Sequence, residues 1–312
     1  MTDELSLLET AKGALARLAK TVQQMLPTDP ASRELADLLR ELSREPASTG
    51  QPPSDPASAL KTLALARAAV AALPEAPWVA RVNLAADRIG AALGWQLRQG
   101  LRERMYGLYV IVDTEITGGR TPLEVAQAAL RGGARMLQLR AKGADKGDVM
   151  PLARQLKQLC VSHKAVFIVN DHADLARAVE ADGLHVGQHD LPVAAARHVL
   201  LPTQAIGRSN ATPEEGRYSE AMGVDYVAVG AIYATGTKKS TRPAGLETLR
   251  RVKAAVHCPV IAIGGISKDN VAEVVKAGAD AISVISAVSL TSDPEAAARE
   301  MVARIRQAGG RA

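Results

Sequence analysis

Aromatic side chains are scarce in this sequence. Phe, Trp and Tyr make up 3% of the 312 residues, whereas all hydrophobic residues make up 47% and charged residues 23%. The core must therefore consist mainly of Ala, Val, Leu and Ile. The length allows one large domain and a smaller one, and the composition is typical of a soluble globular protein.

Cysteine is equally rare. The only two cysteines are Cys160 and Cys258, and neither lies in a cluster with the spacing of metal ligands. The sequence therefore predicts two buried thiols in a reducing compartment, the cytoplasm.

Signals for nucleic-acid binding, secretion and membrane insertion are missing. The formal charge is +5 without a basic run that contains aromatic residues, which favours a basic pocket for an anionic substrate over a nucleic-acid partner. The first residues include Asp3, Glu4 and Glu9 and no basic region, which argues against a signal peptide. The most apolar helix-like run, 63–73, is too short to span a bilayer and contains Arg67.

Residues 1–105 have the pattern of an all-α extension. Apolar residues recur at steps of three and four between positions 15 and 25, as in a coiled-coil-like seam or one face of a bundle. Asp-Pro pairs at 29–30 and 55–56 mark helix starts, and a Pro/Ser/Gly-rich linker occupies about 45–58. A last long helix is predicted for 77–105.

The role of this extension is open at the level of sequence. The seam and the two tryptophans, Trp78 and Trp95, favour a homo-oligomer or a docking module, and a degenerate regulatory domain is the alternative.

Residues 106–312 alternate between strand-like and helix-like segments. Eight short apolar runs are each followed by a segment of helix length, and they lie at 108–113, 135–140, 165–170, 183–187, 205–209, 225–230, 260–265 and 281–286. Runs that are apolar on both faces suit a parallel sheet covered by helices. Eight such units predict a (β/α)8 TIM barrel, and a doubly wound sheet, which more often has five or six strands, is the alternative.

In such a barrel the active site lies at the C-terminal ends of the strands. At the end of the second run, Gln138, Arg140 and Lys142 share one face, while Leu139 and Ala141 face the helices. Two cations at the barrel mouth require an anionic partner. The alternative is that Arg140 pairs with an internal acid and that Lys142 is a loop residue.

Two aspartates follow the third and fourth runs. Asp171 comes directly after Asn170, and Asp190 lies in the next loop along the barrel. Mg²⁺ is typically held by one or two carboxylates with water and phosphate oxygens, and two Asp without His or Cys suit it better than zinc. Each Asp could instead be only a helix N-cap.

Potential phosphate-binding loops follow the last three runs. The segment TGTKK at 235–239 offers hydroxyl groups and a point charge, and glycines at 264–265 allow close backbone approach to a ligand. Loops after the last two strands often form a phosphate site in this fold. The residues suit two anionic substrates, one of them a diphosphate that needs Mg²⁺, and no nucleophile–base pair is present. Stabilisation of a departing diphosphate is the chemistry that they favour.

These segments resemble the thiamine phosphate synthase family, also called thiamine-phosphate pyrophosphorylase. In chain order over about 106–308, they are QLRAK (138–142), ND (170–171), DGLHVGQHD (182–190), GRS (207–209), DYVAVGAIYATGTKK (225–239), AIGGI (262–266) and GADAISVISAV (278–288). The resemblance implies a TIM-barrel transferase that joins hydroxymethylpyrimidine diphosphate to a thiazole phosphate, carboxylated or not, and so forms thiamine phosphate and diphosphate.

The resemblance also implies residue roles. Asp171 and Asp190 would bind Mg²⁺, and Arg140, Lys142 and Lys238 would stabilise the departing diphosphate. The residues expected to hold the pyrimidine diphosphate are Gln138, Leu139, Arg140, Ala141, Lys142, Asn170, Ser209 and Lys238. Those expected at the thiazole phosphate are Thr235, Gly236, Thr237, Gly265, Ile285 and Ser286.

Several positions depart from the family's usual residues. Arg208 and the pair 210–211 could change the pyrimidine fit or the rate, and Ala231 and Ala234, where prolines are frequent, should mainly loosen the loop after the sixth strand.

Two other functions remain as alternatives. A thiazole tautomerase, which is a sister barrel, would need a His acid or base such as His185 or His189. The aspartate pair and the TGTKK loop favour the synthase over it. A non-catalytic barrel that senses a phosphorylated ligand is the third hypothesis.

Overall fold

A computed structural model describes residues 55–71, 77–234 and 244–312, together with isolated positions before residue 38. The chain divides into two compact units, residues 1–99 and 100–312. Helix α1 spans Pro56–Ala71 and α2 spans Pro77–Arg102. The predicted helices before residue 45 lie almost entirely outside the described residues.

Helix α1 begins where the Asp-Pro pair at 55–56 predicted it. The Asp55 carboxylate accepts hydrogen bonds from the backbone N–H groups of Ala57 and Ser58 at 2.9 and 3.0 Å. These bonds satisfy donors of the first turn that have no partner within the helix. Among the described residues, no helix is both long and apolar enough to cross a membrane.

The second unit is a closed barrel of eight parallel strands in sequence order, which confirms the predicted (β/α)8 fold. The strands are β1 Gly107–Asp113, β2 Met136–Arg140, β3 Val166–Asn170, β4 Gly183–Val186, β5 Ala205–Asn210, β6 Tyr226–Gly230, β7 Val260–Ile263 and β8 Ala281–Val284. The helices around it are α3 Pro122–Arg131, α4 Lys146–Ser162, α5 Ala173–Ala178, α6 Val193–Val199, α7 Pro213–Ala221, α8 Gly245–Ala255, α9 Val271–Lys276, α10 Ser286–Ser289 and α11 Pro294–Gln307.

Strand side chains form two separate cores. Outward residues, such as Leu137 and Phe167, join a large aliphatic cluster with the helices. Inward residues, such as Tyr109 and Ile168, form a smaller cluster inside the barrel. Met105 packs in this inner cluster, although the sequence prediction placed it in the helical extension. The contacts therefore divide the chain between residues 99 and 100, slightly before the predicted boundary.

Both cysteines are buried and free, as predicted. Burial raises the pKa of each thiol, Cys160 and Cys258, to about 12. Neither is therefore a thiolate at neutral pH, and both behave as small apolar side chains.

One contact inside the barrel requires a glycine. A Cβ atom on Gly207 of β5 would lie 1.8 Å from Cζ of Tyr226 on the neighbouring strand β6. Tyr226 is fully buried, so its ring cannot turn out into solvent. The tyrosine ring therefore occupies the space that a side chain at position 207 would need.

We expect Gly207→Ala to lower the free energy of unfolding by about 1–3 kcal/mol or more, because overpacking displaces a buried ring. Gly147→Ala is the matched control, since no atom lies within 4 Å of a Cβ there and Gly147 is in helix α4. The control should be neutral or stabilising. Denaturant unfolding of both variants measures the difference, and equal stabilities would contradict the steric explanation.

Candidate active site

A cavity of about 510 Å³ lies at the C-terminal ends of the barrel strands, and each of the eight strands contributes to its wall. It brings together most of the site residues that the sequence predicted. Those that line it are Gln138, Arg140, Lys142, Asn170, Asp171, Asp190, Ser209, Gly265, Ile285 and Ser286.

Other predicted residues do not place a side chain in the cavity. Leu139 and Ala141 belong to the outer cluster, because alternation along β2 directs them to the helices. Only their backbone atoms could contact a ligand. Thr235, Gly236, Thr237 and Lys238 lie outside the described residues, so their roles stay predictions.

The two aspartates meet at the rim of the cavity. The carboxyl groups of Asp171 and Asp190 lie close enough to shift each other's pKa. Burial, and then the neighbouring Asp190 carboxylate, raises the pKa of Asp171. Burial also acts on Asp190, but a hydrogen bond of 2.6 Å from the Gly187 backbone N–H helps to bring its pKa below the usual value.

Neither aspartate is a helix N-cap, so the capping alternative is wrong. Helix α5 has His172 at its N-cap and α6 has Pro192, and neither start is capped by a side chain. Asp171 instead has a φ of 61°, and its backbone N–H donates to the His185 carbonyl at 2.9 Å. This left-handed conformation is uncommon for a non-glycine residue, although Asp adopts it more readily than most and Lys164 and Glu180 share it.

Two cations, Lys142 and Arg140, line the same cavity. Lys142 Nζ lies 3.8 Å from Asp171 Oδ2 and is half exposed. Arg140 forms an ion pair with Asp113, its register partner on β1. The alternative prediction that Arg140 pairs with an internal acid is thus confirmed. Arg140 nevertheless also lines the cavity. Asp113, which is almost fully buried, holds the guanidinium at the mouth of the barrel.

A chain of hydrogen bonds crosses the floor of the cavity. Gln138 Nε2 donates to Tyr109 Oη at 2.6 Å, and Tyr109 Oη lies 3.5 Å from Tyr226 Oη. Tyr226 Oη is 3.0 Å from His185 Nδ1, and His185 Nε2 is 3.0 Å from Ser209 Oγ. Neither tyrosine was predicted from the sequence as a site residue. Both occupy inward positions of their strands, which is the only signal that could have identified them.

The loops after β6 and β7 pack closely at the other side of the cavity. Gly264 and Gly265 have φ values of 100° and 68°. A Cβ on Gly265 would lie 2.7 Å from the carbonyl oxygen of Ala234. Helix α10 begins nearby at Ser286, and the first N–H groups of a helix have no partner within it. Backbone donors are therefore available where the sequence predicted a phosphate.

Ser283 of β8 is a further residue that the sequence analysis missed. Its side chain is buried and lines the cavity, and Oγ has no hydrogen-bond partner among the described residues. A ligand atom could satisfy this hydroxyl group.

The unusual residues of strand β5 face away from the cavity. Arg208 donates a hydrogen bond of 2.8 Å to Ser219 Oγ on helix α7, and Ser219 Oγ donates to Asn210 Oδ1 at 2.6 Å. The expected effect of Arg208 and Asn210 on the pyrimidine would therefore have to be indirect. Ala231 and Ala234, in contrast, do line the cavity.

We expect Asp171→Asn to raise the melting temperature at neutral pH without added metal. The folded-state pKa of Asp171 lies above the ordinary value of 3.8, so the folded protein holds this proton more tightly than the unfolded chain. The resulting stability is present at low pH and lost as the pH rises through the raised pKa. The advantage of the variant should therefore disappear when the pH falls below about 4.

Asp174→Asn is the matched control. An ion pair with Lys146 lowers the pKa of Asp174, so its removal should not stabilise the protein at neutral pH. Thermal unfolding from pH 3 to 8 makes the comparison. A lower melting temperature for Asp171→Asn at pH 7 would contradict the electrostatic explanation.

Comparison with known proteins agrees with this geometry. The family model described as thiamine monophosphate synthase matches residues 108–288. Thiamine-phosphate synthase of Moorella thermoacetica is 47% identical over 207 residues, which cover 66% of this chain and 99% of that protein. The Methanospirillum hungatei enzyme of the same name is 44% identical over 195 residues, covering 62% and 95%.

A solved structure with a related name also matches this chain. Thiamine phosphate pyrophosphorylase from Pyrococcus furiosus matches with a TM-score of 0.62 and 38% sequence identity, over 67% of this chain and 100% of that one. The family model covers more than half of the 312 residues, and the relatives are matched over nearly their whole length. The chain therefore belongs to the thiamine-phosphate synthase family.

Proposed function

We propose that this protein forms thiamine phosphate from a hydroxymethylpyrimidine diphosphate and a thiazole phosphate. The observation that carries the proposal is the meeting of Asp171 and Asp190 at the cavity rim, with Lys142 beside Asp171 and Arg140 in the wall of the same cavity. A pair of carboxylates with cations in the same cavity suits a metal ion and a diphosphate, since the metal binds the acids and the cations bind the phosphate oxygens. The names of the relatives support the same reaction.

The aspartate pair fits a magnesium ion. Its donors are carboxylate oxygens, which are hard ligands of the kind that Mg²⁺ binds. Among the described residues no third His, Cys, Asp or Glu side chain joins the pair, so most of the coordination would have to come from other oxygens. Mg²⁺ suits such a site because water and phosphate oxygens complete its coordination. When bound, the ion would neutralise charge that develops on the diphosphate.

The cations of the cavity stabilise the leaving group in this proposal. The bond between the pyrimidine methylene carbon and the diphosphate oxygen breaks, and its electron pair stays on the diphosphate. Arg140 and Lys142, together with Lys238 of the loop after β6, offset the new negative charge. Asp113 keeps Arg140 in position through their ion pair.

The positive charge left on the methylene carbon spreads into the aminopyrimidine ring. The thiazole nitrogen then donates its lone pair to this carbon and forms the new C–N bond. Holding both reactants in one cavity contributes much of the rate, because the encounter becomes intramolecular. Gly265 and Ser286 would hold the thiazole phosphate through backbone N–H groups. A carboxylated thiazole would lose CO₂ after the bond has formed.

The thiazole tautomerase alternative is weakened by the surroundings of the two histidines. Both ring nitrogens of His185 are within hydrogen-bonding distance of Tyr226 and Ser209, so the ring belongs to the cavity floor. His189 is exposed and does not line the cavity.

We expect Asp171→Ala and Lys238→Ala each to lower kcat for thiamine phosphate formation by roughly 100-fold or more, as for other residues that stabilise a leaving group. Asp174→Ala and Lys268→Ala are matched controls, because both side chains are exposed in surface ion pairs. The assay supplies both substrates and Mg²⁺. Near-wild-type rates for both test variants would overturn the proposal.

The helical extension is proposed to mediate oligomerisation or docking rather than catalysis. Every described residue of the cavity lies at or after Tyr109. We therefore expect residues 100–312, a fragment that retains Met105, to keep kcat within about threefold, since no cavity residue is removed. Comparison of the masses of the fragment and the full chain in solution tests oligomerisation. An unchanged subunit number would contradict that role.

A further inference from the structure

We propose that Tyr109, Tyr226 and His185 form a hydrogen-bonded chain that fixes which of Gln138 and Ser209 donates and which accepts. The chain would thereby select a pyrimidine with an amino substituent over one with an oxo substituent. The inference rests on the proposed function, because it assumes that the pyrimidine ring lies between Gln138 and Ser209.

The residues come from five strands. Gln138 and Ser209, at the two ends, line the cavity from β2 and β5. Tyr109 and His185 line it from β1 and β4, and Tyr226 of β6 lies beneath them without reaching it. The Tyr226 and His185 rings also stack, with centroids 5.6 Å apart and planes 20° from parallel.

A hydroxyl group has one proton, so each link of the chain determines the next. Gln138 Nε2 donates to Tyr109, and the distances allow Tyr109 to donate to Tyr226 and Tyr226 to Nδ1 of His185, which is the direction that we propose. In that direction Nδ1 of His185 accepts, so Nε2 carries a proton and donates it to Ser209 Oγ at 3.0 Å. Ser209 is left to donate to a ligand, and Gln138 is left with Oε1 to accept from one.

Tyr226 is a positioning residue in this chain. It is completely buried and does not line the cavity, so it acts on a ligand only through Tyr109 and His185. Burial raises the pKa of Tyr226 well above its usual value, and the phenol therefore keeps the proton that it must donate. The missing side chain of Gly207 provides the space for its ring.

The two ends of the chain complement an aminopyrimidine. Its exocyclic amino group donates hydrogen bonds, and its ring nitrogens accept them, which suits Gln138 Oε1 and the Ser209 hydroxyl group. In the oxo analogue a carbonyl oxygen replaces the amino group, and a ring nitrogen gains a proton. An acceptor would then face the acceptor Gln138 Oε1, and a donor would face the donating Ser209 hydroxyl group, and such unpaired polar groups are costly in a buried site.

Binding of two inert analogues tests the selection. Both carry a diphosphate in which a methylene group replaces the leaving oxygen, and they differ only in the amino or oxo substituent. With Mg²⁺ present, calorimetry should show the wild-type protein binding the amino analogue roughly tenfold more tightly or better, as expected for loss of a paired hydrogen bond. In Tyr226→Phe the ratio of dissociation constants should fall to within about threefold, because the two ends are uncoupled.

Two further variants make the result interpretable. Tyr109→Phe breaks the chain at another link and should reduce the ratio in the same way, even if Tyr226→Phe fails to fold. Tyr218→Phe is the matched control, because this tyrosine is exposed on helix α7. An unchanged ratio in a folded Tyr226→Phe or Tyr109→Phe variant would overturn the chain. Failure of the wild-type protein to form thiamine phosphate would instead overturn the proposed function.

The tautomer of His185 provides a spectroscopic test. The sequence has six histidines, so the ring nitrogens can be resolved by ¹⁵N NMR and assigned with a His185→Gln variant. We expect the proton on Nε2 in the wild-type protein and a mixture of tautomers in Tyr226→Phe. A proton fixed on Nδ1 in the wild-type protein would reverse the chain and contradict the inference.

Discussion

The alternation of side chains along each strand is the constraint on which the rest of this structure depends. In β2, Leu139 faces the helices while Gln138 and Arg140 face the barrel. In β5, Arg208 faces helix α7 while Ser209 faces the cavity. A strand therefore supplies a layer of the apolar core and a part of the polar site at the same time. A shift of one residue in register would exchange the two sets.

Local patterns in the sequence were sufficient to predict the eight strands and the rim of the site. Asp171 and Asp190 were recognisable because each follows a strand-like run. Contacts between distant segments left no such pattern. Tyr109 and Tyr226 are separated by 117 positions, and their contact depends on closure of the barrel. The capping alternative failed because helices α5 and α6 begin beyond the two aspartates.

The charged side chains of the cavity are only partly compensated by one another. Asp171 and Asp190 repel each other when both are ionised, and Asp171 also occupies a strained backbone conformation. Lys142 is too far from Asp171, at 3.8 Å, to neutralise it as a close ion pair would. Free energy that packing elsewhere in the barrel provides thus maintains this arrangement, which a proton on Asp171 or a bound cation would relieve.

The contact between Gly207 and Tyr226 also restricts how the sequence of this barrel can change. A side chain at position 207 becomes tolerable only after the tyrosine ring has been replaced by something smaller. That earlier replacement would remove a hydroxyl group on which two other strands depend for a hydrogen bond. The order of substitutions is therefore fixed, and its first step leaves buried partners unsatisfied. Substitutions at positions 207 and 226 therefore depend on each other, although 18 residues lie between them.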